Sequence, residues 1–168
     1  VLLFNNVDFI MRFSKPALLF IVFFLTIALI SCSKANNDVI PDVFVDFTIN
    51  LTDPEFVNLS FIGISDTVDA STNNWGYRSA GYDGNGIIIY SGPDKYYAYD
   101  RTCPYDLVAN SLSVKIKIDG SPYATCPYCG TKYSLLTYGT PISGLGKYPL
   151  KNYNTSFDED RFIRVWNK

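Results

Sequence analysis

From Val43 to Leu51 the side chains alternate without a break, with Val43, Val45, Phe47, Ile49 and Leu51 on one face and Phe44, Asp46, Thr48 and Asn50 on the other. A period of two is the mark of a strand with one buried face. Past Cys32 no stretch long enough for an ordinary helix carries the 3.6-residue apolar stripe that such a helix needs. The core must therefore be built from sheets. Ile87 to Tyr90, a Ser91-Gly92-Pro93-Asp94 turn and Tyr96 to Tyr99 read as a hairpin of β-branched and aromatic residues. Val114, Ile116 and Ile118 alternate with Lys115 and Lys117 before an Asp119-Gly120 turn, and Lys132 to Thr137 and Phe162 to Trp166 supply further strands. Asp53-Pro54-Glu55 reads as the opening of a short helical turn capped by Asp53. Short strands at this spacing predict an all-β fold, a small antiparallel sandwich or barrel. A hydrophobic content of 48% with only 18% charged residues fits one folded core, and 168 residues suffice for one domain plus an export segment.

The chain contains no histidine. Ser-His-Asp and Cys-His catalysis, His-ligated zinc hydrolysis and His-bound haem are thereby excluded, since each needs an imidazole. No other nucleophile and base stand at a meaningful spacing, so no enzyme activity is expected. The net charge of -2 gives no basic surface for nucleic acid.

Ala17 to Ile30 is an apolar run broken only by Thr26, with Arg12 and Lys15 ahead of it. It is shorter than the roughly 20 residues of a spanning helix and has the charged and apolar regions of a secretory signal. The expected start is Met11, with Val1 to Ile10 upstream of it. Leu29-Ile30-Ser31-Cys32 resembles the lipobox of bacterial lipoproteins, which implies lipid on the Cys32 sulfur and anchoring to the membrane. Residues 1–31 are thus expected to be a signal peptide, 32–41 the lipidated cysteine and a polar tether, and 42–168 a single β domain. Ser33 after the cysteine favours the outer membrane of a diderm bacterium over the inner. The N-x-S/T triplets at Asn50, Asn58 and Asn154 carry no glycosylation signal in such a setting.

Three further cysteines fall in two proline-containing boxes, Cys103-Pro104-Tyr105-Asp106 and Cys126-Pro127-Tyr128-Cys129-Gly130. Each follows an expected strand, so both read as tight loops with sulfur at the tip, close enough to meet at one site. The second box is followed by Gly139, Ile142-Ser143-Gly144 and Tyr148-Pro149-Leu150, and the first is preceded by the Ile87 to Asp100 hairpin. From Trp75 to Trp166 this order resembles the Rieske iron-sulfur domain, and more closely a set of small bacterial envelope lipoproteins with a degraded form of its pattern. The resemblance implies a Rieske-like β fold with both cysteine loops at one tip. It places Cys103 and Cys126 at the two thiolate positions, and Tyr105 and Cys129 where the family has imidazoles. A Rieske centre holds one iron on two Cys and the other on two His, so the standard cluster cannot form here.

Three readings of that site follow. In the first, no cofactor binds and two of the cysteines form a disulfide, as the oxidising envelope permits: Cys103 with Cys126, or else Cys126 with Cys129 or Cys103 with Cys129. In the second, Cys103, Cys126 and Cys129 hold zinc, another metal or an atypical [2Fe–2S] cluster, with Tyr105 or Asp106 completing the set, as in an electron-transfer protein. In the third, Cys126 and Cys129 exchange disulfides, with Lys132 as the near cation. The first is preferred, and makes the chain a binding or structural module of the envelope that presents Tyr105, Asp106 and Tyr128 to a protein partner. Tyr96, Tyr97, Tyr99, Tyr123, Tyr133 and Tyr138 read mainly as packing. Asp158-Glu159-Asp160 reads as a solvated loop rather than a calcium site, and Asp100-Arg101 as an ion pair bracing the first box or as plain surface.

Overall fold

The structure, a computed structural model, describes residues 39–167. In chain order it contains β1 (Asp46–Asn50), β2 (Ser65–Val68), β3 (Ile87–Ser91), β4 (Tyr96–Asp100), α1 (Pro104–Asn110), β5 (Lys117–Ile118), β6 (Tyr123–Thr125), β7 (Lys132–Ser134), β8 (Thr140–Ser143), β9 (Asn152–Phe157) and β10 (Phe162–Trp166). Short 3-10 turns lie at Val57–Ser60, Thr72–Asn74, Gly76–Arg78 and Tyr82–Gly84. The strands form a six-stranded sheet in the order β1-β10-β9-β4-β3-β2 and a four-stranded sheet in the order β5-β6-β7-β8. Their pairings are antiparallel. This is the all-β class that the alternation predicts.

Every residue of β3, Ile87-Ile88-Ile89-Tyr90-Ser91, is buried. A strand covered on both faces loses the polar half of the usual alternation, and its side chains divide between two cores. Ile87 and Ile89, with Ala98 of β4, pack against Phe47, Ile49, Phe56, Leu59 and Val165. Ile88 and Tyr90, with Tyr97 and Tyr99, pack against Ile116, Ala124, Tyr133, Leu135 and Leu150. The β3–β4 hairpin is thus the wall shared by both cores. The second core also takes in Cys103 and Cys126.

Polar ties fix the end of β4, from which the first cysteine box departs. Asp100 has no exposed surface; its Oδ2 accepts hydrogen bonds from Tyr82 N (2.7 Å) and Tyr153 Oη (2.6 Å), and its Oδ1 accepts one from Thr102 N (2.8 Å). Tyr99 Oη donates to Leu135 O across the second core at 2.5 Å. Asp100 is therefore a satisfied buried acceptor. Arg101 does not pair with it but donates from Nε to Ile116 O at 3.2 Å.

Several elements differ from the sequence expectation. Pairing in β1 begins at Asp46, because Val45 N donates instead to Asn167 Oδ1 and Asn167 Nδ2 donates to Val43 O. The strand expected over Val114 to Ile118 shrinks to Lys117–Ile118, since Val114 O and Ile116 N bond to Cys103 N and Arg101 O. The first cysteine box, expected as a tight loop, opens the seven-residue helix α1, with Pro104 in its first turn. A helix this short leaves no periodic stripe to read. Strands β2, β8 and β9 carry no pattern that marks them in the sequence; β9 is Asn-Tyr-Asn-Thr-Ser-Phe and is held by β4 on one side and β10 on the other.

Ile40, within the segment read as a tether, is buried, and Lys151 Nζ donates to Ile40 O and to Asp42 Oδ1, each at 2.7 Å. The apolar run Ala17 to Ile30 and the lipidation candidate Cys32 lie outside the described residues. Among the described residues no helix is long and apolar enough to cross a membrane.

Candidate metal centre

Both cysteine boxes begin Cys-Pro-Tyr, and each starts with a helical turn, which in the first box continues as α1. The carbonyl of Cys103 accepts from Leu107 N at 3.1 Å, and that of Cys126 accepts from Gly130 N at 3.0 Å. Proline suits the position after each cysteine, because its fixed φ is already that of a helical turn and no N–H is required there. In such a turn residues three apart share a face. Cys103 is therefore set beside Asp106, and Cys126 beside Cys129. Gly130, at φ +71°, lets the second turn leave directly into β7.

The two turns face each other, and the Sγ atoms of Cys103, Cys126 and Cys129 and a carboxylate oxygen of Asp106 all lie within 4.8 Å of one another. Cys126 Sγ donates to Asp106 Oδ2 at 2.9 Å, and Cys103 Sγ is 3.7 Å from Cys129 Sγ. Cys103, Cys126 and Asp106 have no exposed surface, while Cys129 is half-buried. Around them, Cys129 Sγ donates to Thr131 Oγ1 at 3.2 Å, Thr131 Oγ1 also accepts from Gly146 N at 2.8 Å, and Tyr133 Oη lies 3.6 Å from Cys103 Sγ. Gly144, at φ +90°, permits this closeness, since a Cβ there would stand 2.6 Å from Thr131 Cα.

Burial works to raise the Asp106 carboxyl, but hydrogen bonds from Cys126, Cys103, Cys129 and Asn110 outweigh it and hold the group below the usual carboxylate range. Cys126 is pushed far up, first by its hydrogen bond with Cys103 and then by burial and the Asp106 carboxylate. Burial also raises Cys129. Thiols raised in this way are the opposite of the activated thiolate an exchange pair requires. Lys132, the cation that pair would use, lies 3.5 Å from Asp119 and over the Tyr123 ring.

The expected disulfide is not formed: Cys103, Cys126 and Cys129 are free. Cys126 is instead turned onto Asp106, and the 3.7 Å between Cys103 and Cys129 is far beyond the roughly 2.05 Å of a sulfur–sulfur bond. Asp106, expected on an exposed tip, is buried in the group. Tyr105, set by the resemblance at an imidazole position, packs half-buried against the second core, and Tyr128 is 64% exposed. Tyr99 and Tyr133 are core residues, Tyr96 meets Phe157 edge-on, and Tyr138 stands outside against the Tyr97 edge. Asp158 Oδ1 accepts from the backbone N–H of Asp160, Arg161 and Phe162, closing the β9–β10 turn.

Asp106, which the sequence offers beside Tyr105 as the fourth member of a metal-binding set, is the one that joins the three cysteines. Cys103 and Asp106 repeat the two-residue spacing of Cys126 and Cys129, and paired ligands at this spacing are the pattern of zinc-binding turns. Matching the first box to Cys-x-His drew attention to Tyr105, one residue short.

No family model matches the chain, and no curated protein matches it. Among solved structures, the ferredoxin of carbazole 1,9a-dioxygenase from Nocardioides aromaticivorans IC177 is 16% identical over 74% of this chain and 99% of its own, with a TM-score of 0.43. The terminal oxygenase of carbazole 1,9a-dioxygenase from Novosphingobium sp. KA1 is 11% identical over 74% of this chain and 30% of its own, with a TM-score of 0.45. Overlap of this extent assigns neither ligand nor partner. Those rest on the residues of this chain.

The two-iron centre of a Rieske domain does not fit these residues. Both imidazole ligands are missing, and two groups that bind metal as anions, Asp106 and Cys129, stand in the group beside the two thiols.

Proposed function

We propose that the chain is a non-enzymatic, Rieske-like module of the bacterial cell envelope, anchored through lipid on Cys32, that binds an envelope partner and does not carry electrons. The observation that carries this reading is the closed group formed by Cys103, Asp106, Cys126 and Cys129. Four donors from two turns draw the loops together as the disulfide would have done, and all four face one another rather than an incoming substrate. Tyr128, exposed beside the group, and the half-buried Tyr105 are the side chains offered to a partner. The order of hairpin, first box, second box and glycine turns supports the Rieske-like assignment, and the Leu29 to Cys32 lipobox supports the anchor.

The test is redox spectroscopy on the full chain, purified in detergent from aerobic cells and from anaerobic, iron-supplemented cells. The expected protein is colourless, contains no acid-labile sulfide and shows no visible change on reduction with dithionite. A visible band bleached by dithionite would overturn the reading. On fractionation the chain is expected with the membranes, and Cys32→Ser in the soluble fraction; a wild-type chain that is itself soluble would overturn the anchor.

A further inference from the structure

We infer that Cys103, Asp106, Cys126 and Cys129 form a site for one tetrahedral divalent metal ion of the zinc class, in place of a two-iron cluster. This rests on the non-redox reading above and names the group that holds the two loops together.

The separations are those of a single ion. Zinc binds thiolate sulfur at about 2.3 Å and carboxylate oxygen at about 2.0 Å, so the edges of its tetrahedron are about 3.8 Å between sulfurs and about 3.5 Å from sulfur to oxygen. Cys103 and Cys129 already stand 3.7 Å apart, and the whole set lies within 4.8 Å. The short contact of 2.9 Å from Cys126 to Asp106 is that of a thiol proton shared with a carboxylate, and it opens when a metal replaces the proton. In a two-iron centre the ligand pairs sit on different irons, so donors of one pair are spread from those of the other by the iron–iron separation as well as by the bonds.

The chemistry agrees with the distances. Three thiolates and one carboxylate suit zinc, and four protein ligands with no open position describe a structural rather than a catalytic ion. On binding, each of the three thiols gives up its proton, and the ion takes three sulfurs and one oxygen without any change of oxidation state. Around the set, Thr131 fixes Cys129, and Asn110 Nδ2 donates to Asp106 Oδ1 at 2.9 Å, leaving Oδ2 turned to the centre.

The experiment is metal analysis of the full chain purified under reducing conditions, followed by chelation and titration with Co²⁺. One zinc per chain, and a cobalt form with intense tetrahedral d–d bands and a sulfur-to-cobalt charge-transfer band, are expected. Asp106→Asn and Cys129→Ser should each weaken cobalt binding by roughly tenfold or more, while Ile62→Ala, at an exposed position outside both boxes, leaves it unchanged. Chelation of the unmutated protein should lower its melting temperature, so the result does not depend on whether a variant folds. A colourless chain that takes up no zinc and gives only octahedral cobalt would overturn this inference and leave the non-redox reading standing. Two irons with two sulfides per chain would overturn both.

Discussion

A tyrosine hydroxyl on a buried carboxylate shows how much of this fold rests on single polar contacts. Tyr153 Oη donates to Asp100 Oδ2 at 2.6 Å inside the domain, and Asp100 has no exposed surface from which water could replace it. Tyr153→Phe keeps the ring and removes the donor, so it should cost about 1.5–3 kcal/mol, as expected for a hydrogen bond to a charged group. Urea denaturation of the two proteins measures this, and an unchanged midpoint would show that Asp100 is satisfied by Tyr82 N and Thr102 N alone. At this scale the sequence marks the three cysteines and leaves their fourth companion open between Tyr105 and Asp106. Cys103, Cys126 and Cys129 are conspicuous by type, whereas Asp106 is one of 16 acidic residues and acquires meaning only from the turn that sets it three residues after Cys103.

Elements were legible where the pattern came from one-sided burial. β1 shows its alternation in the sequence, and β10 and the β3–β4 hairpin show themselves as short runs rich in β-branched and aromatic residues. β9 does not show itself, because its neighbours on both sides hold a polar sequence in the ladder, and α1 does not, because seven residues are too few for a period. The turn after β2 offers a test at this scale. Asp69 Oδ1 accepts from Ser71 Oγ at 2.6 Å and from Ser71 N at 2.9 Å, and these bonds, the side-chain one first, hold its carboxyl below the usual value of 3.8. A carboxyl depressed in the folded state adds stability above its unfolded pKa and loses it as pH falls through the folded value. Stability measured from pH 6 down to pH 2.5 should therefore fall more steeply in the wild type than in Asp69→Asn. Parallel curves would show that the turn does not depend on this charge.

For the molecule as a whole, the all-β architecture followed from the absence of any helical stripe, and the meeting of the two cysteine boxes from their place in the resemblance. What the sequence could not supply was the state of the sulfurs, which depends on atoms brought together by strands distant in the chain. The Cys126 thiol turned onto Asp106 removes the expected disulfide and leaves a four-donor group at one end of the second core. Whether this group holds one metal ion is read from X-ray absorption at the zinc edge of the purified chain, with three sulfurs at about 2.3 Å and one oxygen at about 2.0 Å expected. A zinc shell of nitrogen and oxygen without sulfur, or an iron edge with a second iron close by, would overturn the metal site.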